Sequence, residues 1–304
     1  RRALFQGVGA YRMGREMELG QGLVDAFGTL LRGGTGDKAL VAEALTQPDE
    51  GYLADLMDWP VDPEAIHHAR RFTRSSLARA LRDDFLYNFR ANQEEGAYSP
   101  DPESIARRRL KNLSLAYLVA GGDAEGIEAA REQFRQATNM TDLLGALRPM
   151  VTENVAGTAE ALEAFYGQWQ DEPEVVDKWF AIQAASPDYG TLDRVKGLLE
   201  HPAFNFKNPN KVRAVLGAFA RGNPFRFHAA DGEGYAFFAD QVLHMDSVNP
   251  QMAAALVRAF SRFRRYDEHR QKLMCEQLER VRQAPKLSRD TYEIVTKSLG
   301  DEGG

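Results

Sequence analysis

Apolar residues along this chain recur at the spacing of an α-helix. In residues 208–219, for example, Val212, Val215, Leu216 and Phe219 fall on one face of a helix. Runs that alternate apolar and polar residues, which would indicate β-strands, are nearly absent from the sequence, and no Asn-Gly or Asp-Gly pair joins two such runs. The pattern therefore predicts an all-α fold.

Several predicted helices begin with a residue that caps free backbone N–H groups, often followed by proline at the first helical position. These starts lie at Asp62, Asp101, Thr141, Asn208 and Asn249, with a weaker version of the same signal at Glu172. Successive starts are roughly 40 residues apart, which leaves room for about two helices in each interval. This irregular period predicts a HEAT- or armadillo-like superhelix of antiparallel helix pairs, an architecture that presents a concave face to a partner.

The loops between the predicted helices are short and contain glycine and proline, as in RGGTGD and ASPDYG. None of them has the composition of a flexible linker, so we predict a single all-α domain over residues 1–304. The chain begins without methionine and enters an amphipathic pattern at once. We therefore expect a piece of a longer protein, in which residues 1–20 form a truncated first helix.

The overall charge is acidic, with 44 Asp and Glu against 38 Lys and Arg and a net charge of −6. This balance argues against a nucleic-acid partner, which requires a concentrated basic surface. No stretch approaches the roughly 20 apolar residues that span a bilayer, so no membrane partner is predicted. The single cysteine, Cys275, excludes an intrachain disulfide and fits a reducing compartment, so we predict a cytoplasmic location.

The sequence carries no recognisable catalytic or metal-binding motif. Its six histidines form no H-E-x-x-H pair, and the adjacent His67 and His68 point to different helix faces, which is unsuitable for one metal ion. A G-x-S-x-G elbow and a phosphate-binding P-loop are also missing. We therefore predict no catalytic residue and no metal site, and only a turn before a helix at Gly232 and Gly234.

Two basic runs and two aromatic clusters have structural interpretations. The arginines of residues 106–112 fan around a helix and are predicted to be solvated. Those of residues 261–272 follow the helix that begins at Asn249 and are predicted to complement its C-terminal end. The aromatic residues of segments 175–184 and 234–243 are predicted to lie in the core.

One charge placement is unusual for a helix. Lys211 and Arg213 lie close to the start of the helix predicted after Asn208, where the helix dipole is positive and disfavours cations. Ion pairs with neighbouring helices would explain the two cations. A second explanation comes from a resemblance to a known family.

Four stretches with unusual residues occur together and in a characteristic order. They are TNMTDLLGAL (138–147), DKWFAIQAASP (177–187), a segment over 197–254 that opens GLLEHPAFNFKNPNKVRAVLGAF, and RRYDEHRQKLM (264–274). In these stretches the sequence resembles the C-terminal helical domain of bacterial aminopeptidase N, a zinc-dependent metallo-aminopeptidase of the M1 type. The resemblance runs from about residue 20 to the end of the chain, and Trp179 and Asp231-Gly232 are among the residues that carry it.

The resemblance implies a non-catalytic domain of an enzyme that removes N-terminal residues from peptides. In that family an H-E-x-x-H motif and a later glutamate bind the catalytic zinc, and a G-A-M-E-N segment binds the amino terminus of the substrate. Neither motif is present here, so the zinc would lie in an upstream catalytic domain of the same polypeptide. The chain alone is expected to bind no zinc and to be inactive. Its expected role is to close the active-site chamber and limit entry to peptide substrates.

The resemblance also implies which residues line that chamber. Arg213 and Gln251 stand at the matching positions, with Lys211 as a neighbour. An arginine can donate two parallel hydrogen bonds to a peptide carbonyl or a terminal carboxylate. A second chamber arginine of some relatives is replaced by Ala255, which would weaken carboxylate binding. Ion pairs with neighbouring helices stay open as the alternative for Lys211 and Arg213.

A function of a different class also stays open. A free-standing helical-repeat scaffold would bind a protein partner on its concave face, and the period of helix starts supports it equally well. The parent gene distinguishes the two hypotheses. An upstream H-E-x-x-H motif in frame would favour the enzyme, and a start codon just before Arg1 would favour the scaffold.

Overall fold

The structure is a computed structural model that describes residues 1–33, 36–57, 60–94, 96 and 98–300. Within these ranges the chain forms helices joined by turns and short loops, and β-pairing is limited to one isolated bridge between Val61 and Tyr266. The predicted all-α class is confirmed. Among the described residues, none of the helices is both long and apolar enough to cross a membrane.

The helices follow one another closely along the chain. In chain order the α-helices are α1 (Arg2–Arg12), α2 (Gln21–Leu31), α3 (Lys38–Leu45), α4 (Glu50–Asp55), α5 (Pro63–Ala80), α6 (Arg82–Ala91), α7 (Pro102–Ala120), α8 (Ala124–Gln136), α9 (Met140–Glu153), α10 (Thr158–Trp169), α11 (Pro173–Ala184), α12 (Thr191–Leu199), α13 (Pro209–Val212), α14 (Ala218–Gly222), α15 (Pro224–Phe227), α16 (Glu233–Val248), α17 (Pro250–Val257), α18 (Glu268–Arg282) and α19 (Arg289–Leu299). A π-helical segment, Arg213–Gly217, joins α13 to α14. Two short 3₁₀ segments, Arg258–Phe260 and Phe263–Arg265, follow α17.

Three of the six predicted helix starts are confirmed by their capping geometry. The side chains of Asp101, Asn208 and Asn249 each accept a hydrogen bond from a backbone N–H in the first turn of the helix that follows. Such a cap contributes about 1 kcal/mol to helix stability. Glu172 precedes α11 without a side-chain cap, in line with its weaker signal.

The start of α9 differs from the prediction at Thr141. The helix begins at Met140, and the side chain of Asn139 accepts a hydrogen bond of 2.9 Å from the backbone N–H of Asp142. Asp142 in turn forms a buried ion pair of 2.8 Å with Lys111 on α7. Asn and Thr both occur as caps, with Asn preferred, and here the helix begins after the asparagine.

The turn predicted at Gly232 and Gly234 is confirmed. Gly232 has a φ angle of 73°, in the left-handed region that glycine adopts at no steric cost, and α16 begins directly after it. A Cβ atom on Gly234 would lie 2.8 Å from the carbonyl oxygen of Phe227. The two glycines therefore serve the backbone of a tight turn.

The contacts of the chain divide it into two compact units. The first consists of Arg1–Glu50 and Ala65–Phe165, and the second of Gly51–Glu64 and Tyr166–Gly304. The single domain over residues 1–304, with a truncated first helix over residues 1–20, stays a prediction.

Helix α7 organises the core of the first unit. It packs against α3, α6, α8 and α9. Its buried side includes Leu115 and Leu118, each of which contributes about 1.5–3 kcal/mol through burial. Tyr117 stacks on Phe85 with ring centroids 4.5 Å apart. The neighbouring helices are thus held around the apolar face of one long helix.

The second unit has an aromatic core. Helix α16 packs against α17 and α18, and α17 packs against α19. The ring of Phe227 meets those of Tyr235 and Phe238 edge to face, with centroids 5.5 Å and 5.2 Å away. Trp179 and Phe180 of α11 are also buried. Both aromatic clusters contribute to the core, as predicted.

The basic run of residues 106–112 is not a solvated face throughout, and that prediction is wrong for Arg108. Only 2% of the Arg108 side chain is exposed, and it donates hydrogen bonds of 2.7 Å to Glu94 Oε2 and to the carbonyl oxygen of Ser99. Successive helical residues point about 100° apart, so one of three consecutive arginines on α7 falls on its buried side. Arg109 stays on the surface and pairs with Glu43.

The arginines of residues 261–272 complement helix ends, but not the end of the helix that begins at Asn249. Arg264 donates hydrogen bonds of 2.6 Å to the carbonyl oxygens of Ser298 and Leu299 at the end of α19. Arg265 donates to the carbonyl oxygens of Ala54 and Met57 around the end of α4. The predicted electrostatic role is right, and the predicted helix is wrong, because the chain turns through 3₁₀ segments before these arginines.

Candidate functional site

The residues singled out from the sequence lie in the second unit, on α17 and on the helical stretch from α13 to α14. That stretch begins at the Asn208 cap and contains the π-helical segment Arg213–Gly217. A π turn holds one more residue than an α turn, and such turns occur frequently at functional sites. No signal in the sequence indicated this segment, which begins at Arg213 itself.

Lys211 is buried by an ion pair with α11. Its ammonium group lies 2.7 Å from Asp177 Oδ1 and donates a hydrogen bond of 2.7 Å to the carbonyl oxygen of Pro173. It also lies 5.7 Å from the centroid of the Phe180 ring. The carboxylate of Asp177 and the carbonyl oxygen of Pro173 stabilise the ammonium group, which the positive end of its own helix disfavours. The ion-pair explanation is therefore confirmed for Lys211.

Arg213 has different surroundings, although it lies close to Lys211 in sequence. Its side chain is exposed and donates one hydrogen bond of 3.2 Å to Asn210 Oδ1 in the preceding turn. In the part of the chain that the structure describes, Arg213 forms no ion pair. The ion-pair explanation is thus wrong for Arg213, whose guanidinium remains available to a ligand.

Arg213 lies at a small pocket between this helical stretch, α16 and α17. The pocket has a volume of about 250 Å³. Its apolar lining includes Phe238 and Met252, while Arg213 and Arg221 supply positive charge. Ala255 also lines the pocket. The arrangement suits a small group that is negatively charged or rich in carbonyl oxygens.

Gln251 lies one helical turn before Ala255 on α17 and is exposed. Residues four apart share a helix face, so Gln251 lies on the face that carries Ala255 into the pocket. The structure therefore brings Arg213 and Ala255 to one pocket and places Gln251 on the adjoining turn. Lys211 is instead turned toward Asp177. Sequence reasoning missed Arg221 and Met252, which only the packing of two helices reveals.

Metal chemistry is not visible in the described ranges. Among these residues, no group of three or more His, Cys, Asp or Glu side chains is arranged to hold a metal ion. A catalytic zinc site needs three protein ligands and an open position. The described residues therefore do not fit a zinc ion, and no hydrolytic step is assigned to them.

Comparison with known proteins places the chain in a family. The model of the DUF3458_C family, described as a domain of unknown function with ARM repeats, matches residues 1–300. The chain belongs to this family. The expected architecture of helical repeats agrees with that description.

The relatives include aminopeptidases. The chain is 37% identical over 292 residues to aminopeptidase N of Escherichia coli (strain K12), which covers 96% of the chain and 33% of that protein. It is 40% identical over 276 residues to aminopeptidase N of Caulobacter vibrioides, which covers 91% of the chain and 32% of that protein. The chain thus spans about a third of the length of these relatives and matches their C-terminal region.

A solved structure supports the same relationship. The crystal structure of Legionella pneumophila aminopeptidase A in complex with aspartic acid superposes with a TM-score of 0.88 at 31% sequence identity. The match covers 98% of this chain and 36% of that protein. The resemblance inferred from the sequence is therefore confirmed.

Proposed function

We propose that this chain is the non-catalytic C-terminal domain of a cytoplasmic M1-type zinc aminopeptidase that removes N-terminal residues from peptides. The observation that carries the proposal is the match of nearly the whole chain to one third of aminopeptidase N. The zinc would be held by an upstream catalytic domain of the same polypeptide, and peptides would be the substrates. The role of this chain is to close the chamber and shape substrate access.

In this role Arg213 binds the peptide and does not take part in bond cleavage. Its exposed guanidinium, fixed on one side by Asn210, offers a pair of parallel N–H donors to a peptide carbonyl or terminal carboxylate. Gln251 contributes a neutral donor and acceptor on the adjoining turn. Lys211 does not contact the peptide. Its ion pair with Asp177 fixes the start of the helix that carries Arg213 and so helps to position that arginine.

A chimera tests this proposal. The C-terminal third of Escherichia coli aminopeptidase N is replaced by this chain, and hydrolysis of an alanyl anilide and of an alanyl tripeptide is measured. We expect the chimera to cleave both substrates. Arg213→Ala should raise KM for the tripeptide about tenfold, with little change for the anilide, because only the tripeptide has the terminal carboxylate that Arg213 is proposed to bind.

Arg289→Ala is the matched control, because this arginine is 89% exposed and lies away from the pocket. Equal effects of Arg213→Ala and Arg289→Ala would contradict the role of Arg213. A folded chimera that cleaves neither substrate would count against the aminopeptidase role. It would favour the alternative of a helical-repeat scaffold for a protein partner.

A further inference from the structure

The first unit contains a basic pocket that the proposed peptide site does not use. This pocket, of about 580 Å³, lies between α3, α5, α7 and α9. Its lining includes Arg74, Arg109 and Arg148, and none of its described lining residues is acidic. In a chain with a net charge of −6, three arginines on one concavity are a marked concentration of positive charge.

Arg74 is the most informative of the three. Its guanidinium carbon lies 5.5 Å from the centroid of the Tyr117 ring, and in the described ranges the group makes no hydrogen bond or ion pair. Burial lowers the pKa of Arg74 from its ordinary value, against the opposing effect of Tyr117 and Glu153. Arg74 is half-buried and lines the pocket, so its unpaired N–H donors can bind a ligand that accepts hydrogen bonds there.

The other two arginines are available as well. Arg148 is exposed and forms no ion pair within the described residues. Arg109 pairs with Glu43 at 2.7 Å, but 48% of the arginine side chain and 68% of the glutamate side chain are exposed. Such an exposed pair contributes at most about 1 kcal/mol and is easily exchanged for a ligand. The lining side chains together with Glu43 carry a net charge of +2.

The rest of the lining indicates the size and character of the ligand. Leu113, Ala116, Leu144 and Pro149 give the pocket an apolar surface. Its volume falls within the range of about 300–1,000 Å³ that is typical of small-molecule sites. A ligand with two negative charges and a compact body that is partly apolar would satisfy both the charge and the shape.

We propose that this pocket binds a small organic dianion, whose anionic groups are held by Arg74, Arg109 and Arg148 and whose body rests on the apolar wall. Two sources share this chemistry, a phosphate monoester and a dicarboxylate. Arginine forks match the oxygen spacing of both groups.

Isothermal titration calorimetry on the full chain tests the proposal, with phenyl phosphate, succinate and uncharged phenol as probes. We expect saturable binding of at least one dianion at a Kd of about 1 mM or below, weakened by added salt. Tighter binding of phenyl phosphate would identify the phosphate monoester as the source, and tighter binding of succinate would identify the dicarboxylate. Arg148→Gln should weaken this binding about tenfold.

The control is Arg135→Gln, which removes the same charge from an exposed arginine of the same unit outside the pocket. Arg74→Lys adds a second test, because it keeps the charge and loses the fork, and should also weaken binding. The proposal is overturned if no dianion binds at millimolar concentration, if phenol binds equally well, or if Arg135→Gln weakens binding as much as Arg148→Gln.

Discussion

At the residue scale, Lys211 and Arg213 lie two positions apart on one helix, yet their side chains have opposite surroundings. The ammonium of Lys211 is enclosed by Asp177 and the ring of Phe180, whereas the guanidinium of Arg213 extends to solvent. Side chains two apart on a helix point in different directions, so their neighbours differ. This contrast predicts different consequences for stability.

Removing the Lys211 ammonium should destabilise the fold. In Lys211→Met the carboxylate of Asp177 and the carbonyl of Pro173 lose their shared partner, so we expect a loss of about 3 kcal/mol in the free energy of unfolding. Arg213→Met, the matched control, should change it by less than about 0.5 kcal/mol, as for most surface positions. Urea denaturation of both variants measures the difference. Similar losses would show that the ion pair of Lys211 has no special role.

A buried histidine predicts a pH dependence of stability. His228 lies between two tyrosines, with Nδ1 2.8 Å from the Tyr235 hydroxyl and Nε2 2.9 Å from the Tyr266 hydroxyl. A neutral imidazole donates to one hydroxyl and accepts from the other. Burial, reinforced by the charge of Arg270, lowers the pKa of His228 to about 3.

Because the folded pKa lies below the ordinary value of 6.5, the unfolded chain binds the proton first as the pH falls. The contribution of neutral His228 to the free energy of unfolding is therefore fully present above pH 6.5. It declines as the pH falls toward 3, by at most about 1.4 kcal/mol per pH unit. Denaturation between neutral and mildly acidic pH should show a shallower decline for His228→Gln than for the unchanged chain. His269→Gln, at an exposed position, should keep the original slope.

At the element scale, the spacing of α7 and α9 depends on a glycine. A Cβ atom on Gly145 would lie 2.5 Å from the Cγ of Asn112 on α7. The Asn112 amide cannot move freely, since it donates to Asp142 and accepts from Gln133. The two helices can therefore approach this closely only because residue 145 has no side chain.

Two glycine substitutions should have opposite effects. Gly145→Ala should destabilise the chain by about 2 kcal/mol, because it forces apart a hydrogen-bonded contact. Gly167→Ala on α10 meets nothing within 4 Å and should stabilise it by about 0.5–1 kcal/mol through reduced freedom of the unfolded chain. Thermal unfolding of both variants measures the effects. A stabilising Gly145→Ala would show that α7 and α9 adjust without cost.

At the scale of the whole molecule, the described residues offer helical surfaces and pockets but no group of metal ligands. We therefore expect the chain by itself to bind no stoichiometric zinc after washing with a chelator and to leave alanyl and arginyl anilides intact. Metal analysis and an anilide assay on the same sample check this expectation. Tightly held zinc together with zinc-dependent hydrolysis would overturn it.

The fold was largely predictable because its signals are local. Asp101, Asn208 and Asn249 cap their helices as predicted, since capping depends on residues within one turn. The site was only partly predictable. The position of Arg213 came from a family resemblance, while the π-helical segment beneath it and the Arg221 side chain beside it depend on how the helices pack.

The sequence by itself determined the all-α class, most helix starts and the relationship to aminopeptidase N, because helical periodicity, caps and ordered motifs are written in neighbouring residues. Tertiary structure decided which charges are buried. Arg108 and Lys211 lie inside and Arg213 outside, although all three belong to similar basic runs. The reason is physical: a charge is buried only where a distant carboxylate or carbonyl compensates the loss of water, and Glu94 and Asp177 reach these positions only through the fold.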